Sequence, residues 1–160
     1  GLSWFRDTGY AQLIEEVDKT EGSKPIAVIF NLGVNDLGNA GNYVSYMTNI
    51  ASTLKSKNCK LFYMSVNPIN STMITKTGRG ARTEAQVREF NSKIRSGLSL
   101  YYKYIDMYSV LMKKGYGTNA RYDGVDDGDD GLHYTTKTFK RIYYYCITYL
   151  NTRRINATYY

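Results

Sequence analysis

The apolar positions of this chain change their spacing several times, and each change marks an element. Across residues 9–19, Leu13, Ile14 and Val17 share one face while Glu15, Glu16 and Asp18 lie elsewhere, which predicts a short amphipathic helix. Glu21-Gly22-Ser23-Lys24-Pro25 ends it, because Gly and Pro both break helices. Ile26, Ala27, Val28, Ile29 and Phe30 then form a continuous apolar run, predicting a strand buried on both faces that empties into Gly33-Val34-Asn35-Asp36. Tyr43, Met47, Ile50 and Leu54 recur at helical spacing. A second buried strand is expected over 60–66, stopped by Asn67-Pro68. The polar stretch 69–82 lacks periodicity and predicts a loop. Thr83-Glu84-Ala85-Gln86 fits a capping box, and Val87, Phe90, Ile94 and Leu98 form a helical stripe behind it. "YKYIDMYSVL", residues 102–111, is a third strand candidate, followed by a Gly- and Asp-rich loop over 115–131. A last helix is expected to turn Phe139, Ile142, Cys146 and Leu150 inward.

Strands separated by helices imply parallel βαβ crossovers and a three-layer α/β/α sandwich, read here as one domain over 1–160. In an open parallel sheet, ligands collect beyond the carboxyl ends of the strands. Gly33-Val34-Asn35-Asp36, Asn67-Pro68 and the Asp/Gly loop each follow a predicted strand, so chemistry is expected at that edge.

Composition narrows the function classes. Hydrophobic residues make up 42% and charged residues 22%, the balance of a globular chain rather than a disordered one. No apolar run reaches the length of a membrane span. The net charge of +7 is spread over Lys55, Lys57, Lys60, Arg79, Arg82, Arg88, Lys113, Lys114, Arg153 and Arg154 without a dense run. Such scatter favours soft attraction to acidic polymers over a dedicated nucleic-acid groove, and nucleic acid is not an expected partner. Seventeen tyrosines suit an extracellular or cell-surface, carbohydrate-facing protein, although half-buried packing also consumes tyrosine. Cys59 and Cys146 lack metal-ligand spacing and read as core thiols, with one disulfide as the alternative.

The single histidine, His133, lies directly before the last predicted helix and three residues after Asp130. A carboxylate at that spacing can bond one ring nitrogen, fix the tautomer and leave the other nitrogen as a general base. The competing reading is a surface histidine beside a helix cap. Asn35 also has two readings, a side-chain amide that donates to a developing oxyanion or a simple turn residue after a strand.

Gly33-x-Asn35-Asp36 after a buried strand, together with Asp130-x-x-His133 before the last helix, resembles the third and fifth sequence blocks of the SGNH (GDSL-type) hydrolases. The "YMSVNP" between them is similar to what that family carries there, so the resemblance covers nearly the whole chain. It implies a flavodoxin-like fold and ester hydrolysis through a serine acyl-enzyme, without metal or cofactor. Asn35 would then donate to the oxyanion, His133 would act as base and then acid, and Asp130 would orient His133. "GLSWF" resembles the second block, which makes Gly1 a second oxyanion donor.

The first block, Gly-Asp-Ser, has no counterpart. Ser3 has no strand before it to present its hydroxyl, and a βαβ unit of about 30 residues does not fit between it and the next block. Ser65 reads as packing inside a strand. The nucleophile, and the strand expected beside 26–30, are therefore assigned to a companion N-terminal segment or a second chain, since an open apolar edge would invite aggregation.

Two functions stay open: an esterase acting on a small acyl ester or an O-acetylated cell-wall glycan, and a catalytically dead module that binds glycan on the same fold. Asp123, Asp126, Asp127, Asp129 and Asp130 invite a calcium reading, but their spacing is not that of an EF-hand, which leaves a turn-rich solvated loop. Asn70-Ser71-Thr72 and Asn156-Ala157-Thr158 match glycosylation acceptors.

Overall fold

The structure, a computed structural model, describes residues 1–20, 22–116 and 130–155, with side chains described as far as residue 152. The backbone begins helical, earlier than the apolar spacing predicts. α1 (Leu2–Trp4) runs through a π turn (Phe5–Gly9) into α2 (Tyr10–Lys19). Phe5 anchors this start: it is buried, with its ring edge-on to Phe30, Tyr46 and Tyr10 at 5.6, 6.1 and 6.3 Å.

The architecture is mixed α/β around a parallel sheet of three strands, β1 (Ile26–Phe30), β2 (Cys59–Met64) and β3 (Lys103–Ile105), in the order β1-β2-β3. Ile26 pairs with Cys59 and Phe30 with Tyr63, then Phe62 with Lys103 and Met64 with Ile105. Burial on β1 is less complete than its apolar run suggests: Val28 and Phe30 are buried, whereas Ile26, Ala27 and Ile29 are half-buried. Among the described residues β1 is an edge strand, so its flank lacks the cover that β2 enjoys.

The crossover from β1 to β2 is α3 (Ala40–Ser56), and Tyr43, Met47, Ile50 and Leu54 are all buried as their spacing requires. Asn58 ends it at φ +60°, a left-handed conformation that asparagine tolerates.

Three expectations fail after β2. The predicted loop over 69–82 contains α4 (Ser71–Lys76), capped by Asn70, whose side chain accepts from the Met73 amide at 3.0 Å. α5 (Glu84–Gly97) follows directly after Thr83 and buries Val87, Phe90 and Ile94, with Leu98 just beyond. The predicted strand 102–111 is in fact β3 followed by α6 (Met107–Lys113). Asp106 divides them, because its carboxylate accepts from the Ser109 amide at 3.1 Å and from the Ser109 hydroxyl at 2.8 Å. α7 (Thr136–Ile155) buries Thr138, Ile142 and Cys146, with Leu150 half-buried. Phe139, expected inward, is 51% exposed because Thr138 takes the inward position within hydrogen-bond reach of Tyr116, 3.3 Å away. Cys59 and Cys146 are buried thiols not joined in a disulfide, and burial pushes their pKa values up.

Two compact units share this chain, 1–67 with 84–110, and 68–83 with 111–160. In the first, Asn91 reaches from α5 to both polar groups of Val66. It accepts from the amide at 2.8 Å and donates to the carbonyl at 2.9 Å. Replacing Asn91 by Leu leaves two buried backbone groups unpaired and is expected to cost about 2–4 kcal/mol, measured as a lowered urea midpoint at constant m-value.

Candidate active site

In the first unit, the carboxyl end of β1 closes a β-turn in which the Asp36 amide donates to the Gly33 carbonyl at 2.8 Å. Gly33 sits at φ +123°, and a Cβ there would collide with the Phe90 ring, so the position requires glycine on two counts. Asn35 is exposed on this turn. Asn35 is therefore a turn residue, and its exposure is compatible with either of its two readings.

Asp36 does work that the sequence did not disclose. Its Oδ2 accepts from the Leu2 amide at 2.9 Å and from the Tyr43 hydroxyl at 2.8 Å. Gly1 lies so close that a Cβ would collide with the same carboxylate. Burial, and then the neighbouring Asp36, push the Tyr43 phenol far up, which keeps it a donor. Asp36 thus ties Gly1 at the start of α1 to the turn that carries Asn35. Asn31 and Tyr63 brace the same end of the sheet, donating to the Ser65 and Leu32 carbonyls at 2.9 and 3.0 Å.

Neither considered serine stands where the resemblance puts a nucleophile. Ser3 lies in α1 rather than at the end of a strand. Ser65 is fully buried, and its hydroxyl accepts from the Tyr108 amide at 2.7 Å.

In the second unit, Asp130 and His133 come together. Asp130 Oδ1 accepts from the amides of Leu132 and His133 at 2.8 and 2.9 Å, which folds 130–133 into a tight turn. Oδ2 takes the His133 ring through Nδ1 at 2.6 Å. The Asp130 side chain is 4% exposed and that of His133 is 58% exposed. Burial alone would raise the Asp130 pKa. The His133 amide and ring and the Leu132 amide outweigh it and hold the group down at about 2. A carboxylate on Nδ1 favours the tautomer with its proton there, and Nε2 has no hydrogen-bond partner among the described residues.

α4 supports this turn. Gly131 has φ +76°, and a Cβ on it would meet the Asn70 carbonyl oxygen at 2.6 Å and the Ile74 nitrogen at 2.9 Å. The Asn70 amide donates to the Gly131 carbonyl at 2.8 Å. Asn70 is consequently buried, so the first glycosylation match is a helix cap in the folded protein. The Arg79 Nε lies 3.4 Å from Asp130 Oδ2, a neighbour with no signal in the sequence pattern.

No protein-family model matches the chain, and no curated protein does. Among the described residues, no group of three or more His, Cys, Asp or Glu is placed to hold a metal ion. Asp123, Asp126, Asp127, Asp129 and the Asn156 acceptor lie outside the described residues. No described helix is long and apolar enough to cross a membrane.

At pH 7, Asp130→Asn is expected to lower stability by about 1–3 kcal/mol through its charge-assisted bonds. Because the folded pKa is depressed, this contribution is fully present above the unfolded value of about 3.9 and is lost as pH falls through the folded value of about 2. Urea titrations of both proteins between pH 7 and pH 2 should show the gap closing.

Proposed function

We propose that this protein hydrolyses carboxylic esters by the serine acyl-enzyme route of the SGNH (GDSL-type) family, with O-acetylated sugar or cell-wall glycan as the substrate class. The observation that carries the proposal is the Asp130–His133 pair: a buried, ionised carboxylate on Nδ1 and a solvent-facing imidazole edge beyond it. On this reading His133 Nε2 takes the proton from the attacking hydroxyl and returns it to the leaving alcohol, while Asp130 holds the ring and its tautomer. The Asn35 amide, and the backbone at Gly1, donate to the oxygen that gains charge in the transition state. The resemblance assigns the attacking hydroxyl to the serine of a Gly-Asp-Ser block, which these 160 residues do not contain. The basic charge and the 17 tyrosines support an acidic or carbohydrate substrate.

The test is p-nitrophenyl acetate hydrolysis by the full-length protein. His133→Ala is expected to lower kcat at least about 100-fold. Asn35→Ala is expected to lower it about 100- to 1,000-fold with little change in KM. Turnover that persists in His133→Ala rejects the mechanism. A wild-type protein that binds acetylated glycan without turnover establishes the non-catalytic binding module instead.

A further inference from the structure

We propose that the Arg79 guanidinium forms an oxyanion-binding site beside His133, and that the ester processed there carries a carboxylate or phosphate group on its alcohol portion. The substrate clause rests on the hydrolase reading above; the binding clause does not.

Arg79 is held in place from three directions. Its backbone occupies the last position of a Schellman motif that closes α4. Gly78, at φ +68°, donates to the Thr75 carbonyl at 3.2 Å, and the Arg79 amide donates to the Ile74 carbonyl at 3.1 Å. The Arg79 carbonyl accepts from the Arg82 guanidinium. Its side chain rests Nε on Asp130 Oδ2, the oxygen that also holds the His133 ring. Arg79 and His133 are thus neighbours on a shared atom, positioned by the same helix and the same carboxylate.

That anchoring does not saturate the arginine. A guanidinium has five donors in a planar fork, and the Nε of this one makes its ion-pair contact with Asp130 at 3.4 Å. The two terminal nitrogens have no partner among the described residues, and the side chain is 52% exposed. Asp130 does not depend on Arg79 for its charge, since the His133 amide and ring and the Leu132 amide already keep it ionised. A half-exposed arginine with its Nε beside Asp130 suits the two oxygens of a carboxylate or phosphate. Its position next to His133 would place that anion beside a bond attacked at Nε2, which separates an anionic ester from a neutral one.

The only histidine in the chain supplies the readout, because its ring resonances need no sorting from others. The full chain is titrated at fixed pH and ionic strength with sodium glucuronate and with glycerol 3-phosphate, each against its uncharged counterpart, glucose or glycerol. A saturable shift of the His133 ring signals with at least one anion, and none with its neutral partner, is expected; the two anions distinguish carboxylate from phosphate as the source. Arg79→Gln should weaken that binding at least about tenfold. Arg79→Lys should fall between, retaining charge but losing the fork. Lys60→Gln, an exposed control in the other unit, should bind like wild type. Equal shifts with anion and neutral partner, no shift with either anion, unchanged binding in Arg79→Gln, or equal weakening in Lys60→Gln would each overturn the proposal. The contrast between anion and neutral partner needs no variant, so a misfolded mutant cannot hide the answer. Failure of ester turnover leaves these titrations intact, so the two proposals can fall separately.

Discussion

The Asp130 carboxylate is the interaction around which the candidate chemistry is arranged. Two backbone amides and one imidazole converge on a side chain that is almost wholly buried. An uncompensated buried charge would be intolerable, so the loop must fold to bring those donors in. Once it does, the ring has no freedom of tautomer and little of orientation. The same hydrogen bonds that make the carboxylate tolerable therefore also aim the histidine. Stability and chemistry are one geometric problem here, solved by four consecutive residues and the first turn of α4.

The carboxyl end of the sheet in the first unit follows a comparable logic. Strands end there with free carbonyls, and side chains from elsewhere close them. Asn31 and Tyr63 reach Ser65 and Leu32, and Asn91 takes both groups of Val66. Asp36 does the same for the start of the chain while Tyr43 holds it from below. Asparagine suits this work because one amide offers both a donor and an acceptor. The turn carrying Asn35 is fixed by these contacts rather than by regular secondary structure.

How much of this was legible in the sequence depended on whether a signal was local. The apolar run of β1 and the stripes of α3 and α5 announced themselves, because spacing alone sets which face is buried. α4 did not: one buried isoleucine in six residues makes no period, and Asn70 was the only cue. The helix hidden in 102–111 turned on reading Asp106 as a cap rather than as a polar interruption of a strand. Phe139 was misplaced because a hydroxyl partner, invisible in one dimension, gave Thr138 the inward position. Asp130 and His133 were found because they are three residues apart. Arg79 carries no such signal, since only tertiary folding brings Asp130 near it, and Asp36 and Tyr43, seven residues apart, stand at a spacing that no simple period marks.

The cap on α4 also sets an order of events for any host that attaches sugar to Asn70. The amino acid satisfies the acceptor rule on paper, yet in the finished protein its side chain is covered and committed to the Met73 amide. Enzymatic access is confined to the nascent, still-unfolded polypeptide. A sugar installed there would displace the cap and part the contact with Gly131 on which the histidine turn rests. Secretory production thus becomes a race between oligosaccharide transfer and chain collapse, with the conformation of the imidazole as the stake.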